Sequence, residues 1–278
     1  MSNKTRYNTK GNQTNLKDAY SIDLRDGCPY FTEKNIHLVE AMIRYNPTYS
    51  AVLDEEHPDY KNNYVGILKS EKEKFFNFET LEMVIKSIDK HDSTHLNSEG
   101  ILPKGSEHKG VLKTVNRIKK INNLQERLMS GDTKLVYEIA SAVDTKYNFS
   151  FASKFCAYVC EFALDKKDGY CIYDDVVQAI LPLYIYRYVD EETARKYSKI
   201  VNKNSPEHRR VESTISNLKI KDNIEGYKEY REIIDKVING IEKIDGIKIT
   251  YSQFDHMLWY YFKGPKQRIK VALNRLLF

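Results

Sequence analysis

Cysteine is scarce. Only Cys28, Cys156, Cys160 and Cys171 occur in 278 residues, too few for a disulfide scaffold at this length. Long apolar runs are absent too, and nothing approaches the roughly 20 residues that span a bilayer. No membrane segment is expected. The opening stretch, MSNKTRYNTKGNQTNLKD, is polar and has no apolar signal core, so a cytoplasmic protein is expected. There is no internal repeat and no low-complexity tract. Charge of one sign is lacking as well: 44 Lys and Arg face 39 Asp and Glu, a net +5. So mild a bias permits an anionic partner without establishing one.

What is present is a globular composition, 41% hydrophobic and 30% charged. The length suits one large domain or two modest ones with a proper core. Residues 1–100 read as a mixed region. Pro29, Pro47, Pro58 and the polar stretch DEEHPDYKNN interrupt it, with helices over 33–45 and 78–89 and room for short strands. STHLNSEGILPKGSEHKG then reads as a linker or long loop. Residues 101–278 form the second, helical region. Val111, Leu112, Val115, Ile118, Ile121, Leu124 and Leu128 make one apolar stripe over 107–129. A glycine stop and an aspartate start follow at 130–132. Further helices are expected from Leu135 to Val143, from Ser150, from Asp175 to Val189 with a kink at Pro182, and near 191–202, 222–243 and 250–262. The fold class is mainly α.

The stretch SFASKFCAYVCEFALDKKDGYCIYDD, from Ser150 to Asp175, carries the chemistry. With Ser150 as N-cap, Lys154 falls in the first turn of its helix, where the dipole disfavours an ammonium. Burial against Phe151 and Tyr158 acts in the same direction. A lysine neutral part of the time is a nucleophile toward a sugar C1′ or a carbonyl. Asp174 opens the next helix, whose amides hold its carboxylate. It is suited to stabilise a developing oxocarbenium charge. The two meet only if the connection DKKDGYCIY doubles back.

SFASKFC…CIYDDVV resembles the catalytic segment of the helix-hairpin-helix DNA glycosylases, in particular their 8-oxoguanine DNA glycosylase-like branch. In that family a lysine early in one helix precedes an aspartate that begins the next. Here those positions are Lys154 and Asp174. SQFDHMLWYYFKG is similar to the family's terminal Trp-bearing helix. The likeness covers roughly the last two-thirds of the chain, and its specific part is the Lys–Asp segment. It implies a two-lobed helical fold and a glycosylase, with or without lyase activity, that extrudes a damaged or modified base from double-stranded DNA. No metal or organic cofactor is implied. Repair and attack on modified phage DNA are both consistent settings.

Departures from the family pattern are specific. Its apolar–Pro–Gly–x–Gly hairpin is replaced by VDTKYNFS, so the phosphate-holding hairpin is altered or missing. The cysteine spacing of the iron–sulfur branch is absent. Asp175 stands next to Asp174, which leaves the carboxylate open by one residue.

Lys109, Lys113, Arg117 and Lys120 line the face opposite the apolar stripe and are the candidate DNA-backbone contacts. Lys263, Lys266, Arg268, Lys270 and Arg275 form a second basic cluster. Ordinary structure accounts for each feature as well: a surface lysine at 154, a helix cap at 174, a solvated basic face. Cys156 and Cys160 read as buried thiols, and His91 with His95 lacks a third metal ligand. GPK at 264–266 is no phosphate loop. Two rival readings stand beside the glycosylase. One is a non-catalytic DNA- or protein-binding module on the same fold; the other is an enzyme on a small glycosidic substrate.

Overall fold

A computed structural model describes residues 22–26, 28–45, 52–92, 96, 109–142, 147–202, 209–215 and 224–262. The fold is mainly α, as the apolar periodicities predict. The N-terminal part contributes α1 (Glu33–Tyr45), α2 (Tyr64–Ser70) and α3 (Phe78–Asp92), with a two-stranded antiparallel pair formed by β1 (Leu24–Arg25) and β2 (Cys28–Pro29). Next come α4 (Lys109–Ile118), α5 (Leu124–Ser130), α6 (Thr133–Ser141) and α7 (Phe149–Tyr158). The last of these runs on into a π-helical turn, Val159–Ala163. Then follow α8 (Asp175–Tyr188), α9 (Glu191–Tyr197), β3 (Ser198–Asn202), β4 (Arg209–Ile215), α10 (Gly226–Asp245) and α11 (Tyr251–Phe262). No helix among the described residues is long and apolar enough to cross a membrane.

Two expectations are corrected. The stripe over 107–129 is not one helix. It breaks into α4 and α5 because Asn123 adopts the left-handed conformation, φ 52°, which an asparagine tolerates better than most residues. The helix expected over 191–202 ends at Tyr197, and the chain turns into β3, antiparallel to β4 with Ile200 opposite Val211. The β-branched content of KIVN and RRVESTI favours the pleated state there. The α8 helix continues through Pro182 to Tyr188.

One apolar cluster runs from Ile22 to Phe262, and α1 to α3 contribute to it as fully as the later helices do. The N-terminal strands are fastened to the end of α10. Asp245, its side chain 1% exposed, pairs with Arg25 at 2.8 Å and accepts from the Tyr188 hydroxyl at 2.5 Å. Tyr184 donates to the Pro29 carbonyl at 2.8 Å. Through these bonds α8 and α10 are held side by side.

Their crossing is close. A Cβ at Gly240 would lie 2.1 Å from the Tyr188 carbonyl oxygen, and backbone cannot yield as a flexible side chain can. Gly240→Ala is therefore expected to destabilise the fold by about 1–3 kcal/mol. The urea midpoint should fall with the slope of the transition unchanged. An unmoved midpoint would mean that the crossing has slack.

Candidate active site

α7 starts two residues earlier than a Ser150 cap implies. Asn148 is the N-cap, and its Oδ1 accepts from the Phe151 amide at 2.9 Å. Beginning there brings Phe149 into the helix, where its ring meets Tyr147 and Tyr173. Lys154 consequently stands in the second turn, where the dipole, concentrated in the first, acts more weakly. Lys154 is also buried, 5% exposed.

The connection after α7 does double back. Lys166 donates its amide to the Cys160 carbonyl at 2.8 Å, and Asp165 and Asp168 take left-handed backbone, φ 52° and 60°. The chain then runs without regular structure from Tyr170 to Asp174 and enters α8. Asp174 is the N-cap of α8. Its Oδ1 accepts from the Val176 and Val177 amides, both at 2.9 Å. Its Oδ2 lies 3.8 Å from Lys154 Nζ. Asp174 is 6% exposed, whereas Asp175 is on the surface. Of the two adjacent carboxylates, Asp174 is thus the buried one, with an oxygen beside the lysine.

The segment that delivers Asp174 is held by side chains rather than by a strand partner. Ser153, fully buried and adjacent to Lys154, accepts from the Tyr173 amide at 3.0 Å and donates to the Ser150 carbonyl at 3.3 Å. From α10, Tyr227 donates to the Cys171 carbonyl and Tyr230 to the Ile172 carbonyl, each at 2.6 Å. Tyr170 donates to the Arg127 and Asp132 carbonyls at 3.1 and 3.2 Å. Burial raises the pKa of Tyr227 and Tyr230 well above the ordinary phenol value, with Cys171 adding to it in both. Burial, with Asp175 adding, pushes Tyr173 up to about 12. These phenols stay protonated, so the donated bonds persist across the neutral range.

Periodicity gives no hint of these tethers. Ser153 reads as a helix-interior residue, and the tyrosines read as core. A serine beside the lysine, in a helix packed on a segment lacking strand partners, is the one signal available.

The chemistry open to the pair is limited and definite. An ammonium and a carboxylate buried 3.8 Å apart attract each other, but both are costly to remove from water. Once the lysine gives up its proton, the site presents an amine nucleophile beside a fixed negative charge.

The remaining candidates are placed as follows. Lys113 and Arg117 are exposed on α4, and Lys120 is exposed in the turn beyond its end. The Arg117 guanidinium donates to the Ala142 carbonyl at 3.0 Å, which brings the basic face to the end of α6. Lys109 opens α4, but its side chain lies outside the described residues, as do His95, residues 143–146 of the altered hairpin and the basic cluster after 262. Cys156, Cys160 and Cys171 are buried free thiols. Burial raises all three, Cys160 and Cys171 to about 12. Among the described residues no group of three or more His, Cys, Asp or Glu is placed to hold a metal ion.

A cavity of about 520 Å3 lies between α1, the π-helical turn and α11. Glu40, Glu161, Lys167 and His256 line it, and Lys154 and Asp174 do not. Burial lowers the His256 pKa to about 4, so its imidazole is neutral at pH 7.

A family model described as the HI_0787_N N-terminal domain matches residues 47–162. The matched range crosses residue 100, includes Lys154 and ends before Asp174. No curated protein and no solved structure matches the chain.

Proposed function

We infer that the protein is a DNA glycosylase with an associated lyase step, acting on a damaged or modified base in duplex DNA. The observation that carries this reading is the pairing of Lys154 with Asp174, buried and 3.8 Å apart at the junction of α7 and α8. Sequence separates the two by about twenty positions, yet a folded-back connection held by buried hydroxyls brings them together.

In this reading the target nucleotide leaves the duplex and its sugar approaches Lys154. The neutral Nζ forms a bond to C1′. The C1′–N glycosidic bond breaks, its electron pair departs with the base, and the base nitrogen takes up a proton. Asp174 stabilises the positive charge that develops on the sugar. Loss of a proton from the new C–N centre and opening of the C1′–O4′ bond give an imine between Lys154 and the sugar. Removal of a C2′ proton then expels the 3′-phosphate by β-elimination. Both side chains are nearly buried, so the sugar must displace local packing to reach the amine.

A panel of duplexes, each carrying one modified base, tests the reading. Abasic product, revealed by alkali cleavage, is expected from at least one. If none is processed and no covalent adduct forms with an abasic-site duplex, the enzyme reading fails. A non-catalytic DNA- or protein-binding module is the second reading. It is favoured by the closed, buried geometry of the pair, which suits a structural ion pair, and by the missing glycines of the hairpin.

Backbone binding is expected to use Lys113, Arg117 and Lys120. Their joint replacement by Ala should weaken binding to all duplex sequences alike. The slope of log affinity against log salt should become shallower by about one for each phosphate that is no longer neutralised. Arg117, already bonded to Ala142, should contribute least. An unchanged slope would remove α4 from the interface.

A further inference from the structure

Tyr147 is 40% exposed, a large ring left in solvent. It is not loose. Its hydroxyl accepts from that of Tyr137 at 3.0 Å, and the two rings lie 4.9 Å apart. The Phe149 ring is stacked with it at 6.1 Å and an interplanar angle of 20°. Phe149 in turn meets Tyr173 edge to face at 6.3 Å, and Tyr173 precedes Asp174. A line of rings thus leads from the surface to the residue preceding Asp174 in two steps of about 6 Å each.

One cation of the basic face reaches the helix that carries Tyr137. Arg117 reaches the carbonyl of Ala142, the C-cap of α6, and α6 is the helix that holds Tyr137. An exposed ring held by two others, with a cation at the end of the helix that carries one of them, matches what a single nucleotide strand requires. Stacking engages any base, and the cations follow the phosphates.

We propose that Tyr147, backed by Tyr137 and Phe149, is a stacking platform for an unstacked base flanking the nucleotide presented to Lys154. The proposal rests on the glycosylase reading for its DNA partner. Two ring-to-ring steps separate Tyr147 from the residue preceding Asp174, so the platform takes a neighbouring base and not the one excised. Its rigidity is part of the function. A ring already held by Tyr137 and Phe149 loses little freedom on stacking. It also supplies a contact at the place where the family's glycine-rich hairpin is altered.

The probe is a duplex with a tetrahydrofuran abasic-site analogue and 2-aminopurine beside it. Wild-type protein is expected to bind it and quench the 2-aminopurine fluorescence. Tyr147→Ala should weaken binding by about fivefold to a hundredfold, lose the quenching and leave the salt slope unchanged. Tyr147→Leu should behave like Ala, since it keeps apolar bulk without a flat face, and Tyr147→Phe should retain the quenching. Circular dichroism checks that each variant is folded. Undiminished affinity and quenching in Tyr147→Ala would overturn the platform while leaving the glycosylase reading intact, as would a Leu variant as good as wild type. Failure of the wild type to bind any duplex would overturn both. A Tyr147-dependent interaction, with no modified base excised and no adduct trapped on a true abasic-site duplex, would support the platform and overturn the enzyme reading.

Discussion

A borohydride reductant, added while the protein reacts with an abasic-site duplex, is expected to trap a covalent protein–DNA adduct, and Lys154→Ala is expected to abolish it. The abasic sugar supplies an aldehyde without requiring knowledge of the base recognised. Attack by an amine gives an imine, which hydride reduces to a stable secondary amine. Other surface amines react with the same aldehyde, so the comparison with the variant decides. Lys154→Arg should also fail, because a guanidinium keeps its proton and is no nucleophile. Removing one partner of a buried ion pair costs about 3–5 kcal/mol when the other charge is left uncompensated. Here the loss should fall toward the lower end, because two amides continue to hold Asp174. Lys154→Met, which keeps much of the side-chain volume, separates impaired folding from impaired chemistry. Each variant should still bind the duplex, since one charge supplies a small part of the affinity. Trapping that persists undiminished in folded Lys154→Ala would return the lysine to a structural role.

Much of this arrangement is legible in the order of residues, and the remainder is not, for identifiable reasons. Asp174 is readable as a cap because a carboxylate stands directly before the apolar run of α8, and local amides complete the motif. The break between α4 and α5 is also local. Asn122 and Asn123 mark it, but the unbroken apolar stripe masks the turn, since the residues on both sides of it face one core. The Asn148 cap is ambiguous locally. NFS offers two capping residues, and the choice follows from where Phe149 is buried. The β3–β4 pair depends on contacts between segments separated along the chain, which helical periodicity does not register. Least readable are the hydroxyl tethers from Ser153, Tyr227 and Tyr230. They satisfy backbone groups of a segment with no regular partner, and that need arises only once α7 and α10 converge on it. The pairing of Lys154 with Asp174 follows from a resemblance and from a connection long enough to fold back. The atoms that hold it in place do not.

Asp174→Asn is expected to lower base excision by about a hundredfold or more while changing stability by about 1 kcal/mol or less. The two effects come from different oxygens. Oδ1 accepts from the Val176 and Val177 amides, and an asparagine oxygen can take over that role, since Asn caps helices about as well as Asp. Oδ2 faces Lys154, and there the substitution places an NH2 group without charge. Loss of one preorganised electrostatic interaction with a developing charge typically costs about 10²–10³ in rate. Stability is measured by urea denaturation and excision under single-turnover conditions with saturating protein, so that binding does not enter. Asp175→Asn is the matched control. Asp175 is exposed in the first turn of α8, whereas Asp174 is buried beside the lysine, so the loss of Asp175 should leave the rate within about twofold of wild type. Full excision in Asp174→Asn together with loss in Asp175→Asn would move the catalytic carboxylate by one residue, against the geometry. Full excision in both would leave Asp174 as a helix cap alone.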